Sequence, residues 1–423
     1  MEVSKKNLLI IWIFGLISGF TLMIGSYSLN YRLSVEKVDI KTIGMFSLAS
    51  LPYAINFMWA PIFDTKKFPI LTKYLGTKLS WLLATQLCLC LSIYLISEVN
   101  PKTQLTYFAI YGFMISFFAS TQDSILGALR TETVTKDKQG EISGIYIFGY
   151  RIGMLISSSG AVYISQFINW DIIYKLFAII TLTFALLLTI LLREYRFRFE
   201  DNYHLPTKNP SRIKRFQSFP KFILEILKPV GTTKFIFTAI VFLILYRLPD
   251  NFINMMITPF LHHIGYDDFE IATAGKLFGA LSAMVGGLIA GYIMKKKPLY
   301  YSLLFFGIIH ALAHILYIYQ ELYGKNIYIL YLITGFEGTT GGMCMAAYFA
   351  FIATLCGGKF KATQYSFFSA MMGLSRSFFP AVSGYIVAMF DWSVFFLFTT
   401  IAVIPALIAI KFLEKIKPNL NSI

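Results

Sequence analysis

Long apolar runs alternate with short polar connections along the chain, and the length of the runs decides the first question. A helix rises 1.5 Å per residue, so about 20 residues cross the hydrocarbon core of a bilayer. Twelve stretches qualify, at 7–30, 42–63, 79–98, 105–129, 142–167, 171–192, 235–261, 269–294, 299–318, 327–356, 362–389 and 393–410. The pattern predicts an all-α integral membrane protein with twelve transmembrane helices in two six-helix halves. The first half is residues 1–192 and the second 235–423, with a short tail. Residues 193–234 form a linker with ten basic residues and Pro206, Pro210, Pro220 and Pro229. Phe222 to Leu227 reads as a short amphipathic surface helix on anionic lipid. The first run is longer than a signal-peptide core and reads as a retained span.

Composition agrees with this pattern. The chain is 57% hydrophobic and 14% charged, with mean hydropathy +0.64. Soluble domains carry about 25% charged residues, so a soluble enzyme is excluded. The net charge of +15 raises the question of nucleic acid. The basic residues lie between the apolar runs, however, where they orient a membrane protein rather than bind phosphates. Of the 37 Lys and Arg, 27 fall on the side that holds both termini and 5 on the other. The positive-inside rule puts both termini in the cytoplasm. The cysteines, Cys88, Cys90, Cys344 and Cys356, form no Cys-x-x-Cys pair and read as small buried apolar residues.

The halves echo each other. The fifth span holds Arg151 and is followed by Asn169-Trp170-Asp171, with Tyr174 four residues beyond the Trp. The eleventh holds Arg376 and is followed by Asp391-Trp392-Ser393, with Phe396 in the same place. Six spans per half preserve orientation, which implies a parallel repeat about an axis along the membrane normal and a site between the halves.

Seven ionisable residues fall inside spans: Asp123, Arg151, Arg247, Asp250, Lys276, Glu337 and Arg376. Each costs about 2.5–3.5 kcal/mol at a helix centre, so each needs a partner or a wet cavity. Depth pairs Asp123 with Arg151, Asp250 with Lys276, and Glu337 with Arg376. Fixed ion pairs that set helix register are one reading. A transport pathway is the other: the excess of positive charge suits an anionic solute, and Asp123, Asp250 and Glu337 are the candidate proton carriers. Small residues crowd the first, fifth, tenth and eleventh spans. Gly338 to Gly342, beside Glu337, reads as a helix broken at a site. His310 and His314 share a helix face, but zinc needs a third ligand and the sequence offers none, so they read as packing residues. His262 and His263 read as exposed loop residues. Nucleophile elbows, Walker loops and His-Glu-x-x-His are absent, so no catalytic residue, metal or cofactor is expected.

Particular residues narrow this to a family. Trp59-Ala60-Pro61-Ile62-Phe63-Asp64 ends the second span and Ser80-Trp81-Leu82-Leu83-Ala84-Thr85-Gln86 opens the third. Gln122-Asp123 lies in the fourth span and Gly149-Tyr150-Arg151-Ile152-Gly153-Met154-Leu155 in the fifth. Leu245-Tyr246-Arg247-Leu248-Pro249-Asp250, Gly341-Gly342-Met343 and Ala362-Thr363-Gln364 follow. With twelve spans in two parallel halves, the chain resembles the AmpG family of muropeptide permeases, within the major facilitator superfamily. The resemblance runs from the first span to the twelfth.

It implies a bacterial inner-membrane symporter that imports GlcNAc-1,6-anhydro-MurNAc, with or without peptide, from periplasm to cytoplasm for cell-wall recycling. The partners implied are an anionic glycopeptide, protons and the bilayer, with a monomer favoured and no nucleic acid. Gln122, Tyr150, Arg151, Tyr246, Arg247, Lys276 and Arg376 become candidates for binding substrate or pairing with the acids. Asp64 and Lys66 become elements of a cytoplasmic gate. Two positions depart from the family pattern: Ala60 replaces a usual Gly, and Gly127 stands where the family tends to carry a second Asp, four residues after Asp123. Another anionic cargo, such as a nucleotide or acyl-coenzyme, and a non-transporting sensor remain the alternatives.

Overall fold

The structure is a computed structural model and describes residues 5–36, 47–134, 138–193, 225–357, 360–378 and 383–416. Among these, every regular element is helical. The first pass is α1 (Lys5–Leu33). The second, α2, is assembled from Ser47–Ser50, Pro52–Ile55, Asn56–Met58 and Ala60–Thr65. Then come α3 (Thr77–Ser97), α4 (Leu105–Thr133), α5 (Gln139–Ile164) and α6 (Trp170–Leu191). They are followed by α7 (Thr233–Ile264), α8 (Ile271–Lys296), α9 (Leu299–Tyr323) and α10 (Ile327–Leu355). The last two are α11, in the pieces Lys361–Phe378 and Ser383–Phe390, and α12 (Trp392–Ile416). All twelve predicted spans therefore contain helix.

Nine of these passes are long and apolar enough to cross a membrane by themselves; α2, α4 and α11 are the other three. The reason for α4 is visible in its sequence. Ser116, Ser120, Thr121, Gln122 and Ser124 line it and are buried in protein, where lipid cannot reach them. A polar pass is tolerable only when neighbouring helices cover it. By contrast, α6 is apolar on every side. Ile173, Phe177, Ala185 and Leu188 are buried, while Ile172, Leu176, Ile179, Leu186 and Ile190 are exposed. Helices that face both protein and lipid have this composition.

Packing gathers the chain into two compact units. One comprises Met1–Thr135, Gly149–Pro229 and Leu355–Ala370; the other comprises Lys136–Phe148, Val230–Thr354 and Met371–Ile423. Most of the linker, 194–224, lies outside the described residues, and so does the start of its expected surface helix. Glu225 to Leu227 forms one helical turn with Ile226 and Leu227 buried.

In the first unit, α1 and α5 meet backbone to backbone. A methyl on Gly19 would lie 1.9 Å from the Tyr150 carbonyl oxygen, and one on Gly153 would lie 2.0 Å from that of Leu16. In the second unit α8 and α10 do the same. A methyl on Gly286 would lie 1.9 Å from Thr339 O, and one on Gly342 would lie 2.1 Å from Ala283 O. These glycines exist to let helices touch, as small residues do in membranes. Gly338 belongs to the same seam: a methyl there would lie 2.4 Å from Gly279 O. The helix is therefore continuous from Ile327 to Leu355, which corrects the expected break at Gly338 to Gly342: these glycines serve packing. The irregular windings fall elsewhere. Wide π-turns occupy Ile24–Ser28 in α1, Ile156–Gly160 in α5 and Ile271–Leu277 in α8. The Ser28 hydroxyl donates to Ser157 O and joins the first two.

The echo between the Trp motifs is a repeated helix start. Asn169 precedes α6, whose first residue Trp170 packs on Tyr174 at 5.8 Å. Asp391 caps α12 by accepting from Val394 N–H at 2.9 Å, and Trp392 stacks on Phe396 at 6.3 Å. In the first unit Arg32, only 3% exposed, donates to Ile96 O and Val99 O at 3.3 Å and pairs with Asp171 at 2.5 Å. One guanidinium thus ties together α1, α6 and the end of α3.

The glycine seam gives a differential prediction. Gly153→Ala should cost about 1–3 kcal/mol through overpacking. Gly279→Ala, whose nearest neighbour would be 3.7 Å away, should be close to neutral. Thermal unfolding of the two purified variants in one detergent compares them.

Candidate functional site

The sequence Leu248-Pro249-Asp250 restarts α7. Thr233–Tyr246 is helix, Arg247 is a turn, and helix resumes at Leu248 with Pro249 in its first turn. Proline has no N–H to continue the ladder, so the break falls there. It places Arg247 and Asp250 three residues apart and face to face, as an ion pair through Asp250 Oδ2. The other oxygen, Oδ1, meets His310 Nε2 on α9. His310 Nδ1 lies 2.8 Å from the Thr340 hydroxyl on α10. A chain of polar contacts therefore crosses three passes of the second unit, through side chains that are almost wholly buried. Asp250 is 4% exposed, His310 5% and Thr340 2%.

His314, one turn on from His310, is fully buried, and their rings lie 4.8 Å apart. Glu337 borders the same cluster. A methyl on Gly341 would sit 3.2 Å from His310 Cε1 and 3.9 Å from Glu337 Oε1. Tyr246 is buried, and its hydroxyl donates to Leu303 O at 3.0 Å. Asn251 donates to Ser375 Oγ at 3.0 Å. The next residue, Arg376, is exposed and makes no ion pair among the described residues, so the expected Glu337–Arg376 pair is not made. Lys276 lies on the π-turn of α8. Its side chain, and with it the expected pair with Asp250, lies outside the described residues.

In the first unit Asp123 accepts a hydrogen bond from the Ser18 hydroxyl of α1. The expected ion pair with Arg151 is replaced by this neutral contact. The physical reason is neighbourhood: α1 packs directly on α4 and presents a serine there. Gln122 is fully buried and donates to Thr21 Oγ1 at 3.1 Å. Tyr150 is buried with its carbonyl against Gly19, and Arg151, the next residue of α5, is half-buried.

Asp64 organises a third group. Its carboxylate accepts from the N–H of Ala362 at 3.3 Å, and from the N–H and hydroxyl of Thr363, both at 2.8 Å. Those residues open α11, where backbone N–H groups have no helical partner and the helix end attracts a negative charge. Beside it Glu132 takes both Lys78 and, at 3.4 Å, Lys361. The Lys66 side chain is exposed, and its carbonyl accepts from Trp81 Nε1 at 2.8 Å. The structure thus brings Asp64 into the group with Lys78 and Glu132, and leaves the Lys66 ammonium at the surface.

Gly127 faces α11 as well. A methyl there would lie 2.2 Å from the Tyr365 ring, so the ring fills the space a second Asp would occupy. Sequence reasoning missed His310 and Thr340 because their partner, Asp250, lies 60 residues from His310 in the chain. The i, i+4 histidines were the available signal, and the third group they lacked is Asp250. Both ring nitrogens of His310 are taken by hydrogen bonds, so the arrangement is a hydrogen-bonded cluster.

The chain belongs to the major facilitator superfamily, whose family model matches residues 9–340. A solved structure of the proton:xylose symporter XylE bound to 6-bromo-6-deoxy-D-glucose shares the fold. Its TM-score is 0.67 at 13% identity, over 98% of this chain and 95% of that one. Within the superfamily the chain falls among the AmpG transporters. Transporter AmpG 1 of Rickettsia bellii is 52% identical over 99% of this chain and the whole of its own length. That of Rickettsia conorii is 48% identical over the same shares. The anhydromuropeptide permease of Escherichia coli K12 is 30% identical over 94% of this chain and 78% of its own. The protein is a membrane transporter of a small molecule and not an enzyme, in line with the sequence reading.

The Asp64 group yields a local test. Asp64→Ala removes the acceptor for two first-turn N–H groups, a loss worth about 1–3 kcal/mol. Amide exchange at Ala362 and Thr363 should accelerate while exchange in the middle of α10 stays unchanged, which hydrogen–deuterium exchange with mass spectrometry resolves.

Proposed function

We propose that this protein imports anhydro-muropeptides from periplasm to cytoplasm across the bacterial inner membrane, driven by protons and working by alternating access. The similarity to the Escherichia coli anhydromuropeptide permease over 94% of the chain carries the reading. The distribution of Lys and Arg supports a topology with both termini in the cytoplasm. In this reading the two six-span halves, 1–192 and 235–423, move about the linker at 193–234, and one copy suffices. Cargo carboxylates meet Arg151, Arg376 and Lys276, with Gln122 and Tyr150 beside them. Tyr246 holds α7 to α9, and Arg247 serves Asp250. Asp64, with Lys78 and Glu132, holds the start of α11 while the cytoplasmic side is shut.

The proton-carrier candidates have different surroundings. Asp123 is held by a serine hydroxyl and has no ion pair among the described residues. Asp250 is held by a cation and an imidazole. A carboxyl without a counter-ion is easier to keep neutral in a membrane, and so can take up and release a proton as its exposure changes.

Proteoliposomes with an imposed inward proton gradient should accumulate labelled anhydro-muropeptide, and an uncoupler should abolish the accumulation. Absence of uptake by folded protein would rule out this cargo. Asp123→Asn should reduce gradient-driven uptake by about tenfold or more while leaving the protein folded; full activity would remove Asp123 from the pathway.

A further inference from the structure

The contact between Asp250 and His310 can exist only if a proton lies in it. The Thr340 hydroxyl is 2.9 Å from Phe336 O and 3.1 Å from Glu337 O. Carbonyl oxygens only accept, so the hydroxyl proton points at them. Its oxygen therefore receives the N–H of His310 Nδ1 at 2.8 Å. With Nδ1 carrying a proton, a neutral imidazole would present the bare lone pair of Nε2 to Asp250 Oδ1. Two acceptors would then face each other in a buried site. The observed contact requires one further proton, on Nε2 or on the carboxyl.

The surroundings let this proton come and go. Arg247 holds the other oxygen of Asp250, so the carboxylate keeps a counter-ion when the shared proton leaves. Glu337 approaches from α10. From α9, His314 stands one turn away, its ring 4.8 Å from that of His310. A cavity of about 10 Å³ is lined by His310, His314, Tyr246 and Cys344. That volume is the size of one water, which would stand beside the Asp250–His310 pair and give the proton an exit.

We infer that His310 and Asp250 form one proton-binding site, with Thr340 selecting the nitrogen that titrates, and that its proton is coupled to cargo alongside that of Asp123. The coupling clause rests on the transport reading above; the proton site does not. Occupancy has a mechanical meaning. With the proton bound, α7, α9 and α10 are linked through Asp250, His310 and Thr340. With it lost, Nε2 and the carboxylate repel, and the part of α7 from Leu248 onward loses this tie to α9, while Tyr246 still holds the part before the break.

Two measurements separate the parts. The first needs no cargo: nitrogen-15 NMR of histidine-labelled protein in nanodiscs, with His310→Gln to assign its signals among the five histidines. Between about pH 5 and pH 9, His310 Nδ1 should stay protonated while Nε2 loses its proton. Asp250→Asn should move that transition, and Thr340→Val should let the second tautomer appear. Titration at Nδ1, no response to either variant, or stoichiometric zinc bound to His310 would overturn the proposal.

The second measurement uses proteoliposomes. For each proton coupled to one cargo, a gradient of about one pH unit sustains about tenfold accumulation. His310→Gln, which still donates to Asp250 but cannot titrate, should lose that accumulation and keep cargo counterflow within about twofold of wild type. Retained accumulation would overturn the coupling role. If wild-type protein shows no counterflow of anhydro-muropeptide, the cargo reading fails, and the NMR result still decides the proton site.

Discussion

Hydrocarbon accepts and donates no hydrogen bonds, and that single property dictates how this chain is arranged. Every charge and hydroxyl carried into the membrane must be met by the protein itself. The response differs from place to place. Arg32 spends its guanidinium on two carbonyls and a carboxylate. Asp250 receives a cation and an imidazole. Asp64 receives the open end of a helix. Asp123 receives only a hydroxyl. A group met only by carbonyls, backbone N–H groups or opposite charges is fixed as a charge, whereas a hydroxyl or an imidazole as partner leaves a proton free to move. The three aspartates therefore run from structural tie to titratable group without any change in residue type.

Backbone contact is the second consequence of the solvent. Lipid tails are as apolar as leucine, so helices gain little by hiding apolar side chains from them. Attraction has to come from close approach. The seams between α1 and α5 and between α8 and α10 supply it, with glycines set against carbonyl oxygens on the facing helix. The π-turns lie in three of these same four helices, and a hydrogen bond from Ser28 to Ser157 joins two of them.

Run length and charge placement were enough to lay out the passes, because the thickness of a bilayer is a fixed ruler. The family was legible in short motifs such as Leu248-Pro249-Asp250 and Gly341-Gly342-Met343. Partnership was much less legible. Depth along the spans put Arg151 opposite Asp123, but depth says nothing about which face a residue occupies or which neighbour stands closer, and Ser18 is the closer one. The glycines from Gly338 to Gly342 suggested a broken helix because glycine lowers helix propensity. In α10 that cost is outweighed by the contact it permits with α8. The His310 cluster was invisible for a simpler reason: its members come from three separate passes.

The meeting of Gly127 with Tyr365 restricts the order in which this sequence can change. The ring lies where any side chain at 127 would have to go, so a lineage acquiring an acid there must first accept a smaller residue at 365. In the reverse direction, once tyrosine has filled the gap, the return to aspartate is closed by sterics rather than by selection on transport. The residue at 127 is thus constrained by a neighbour 238 positions away in the chain.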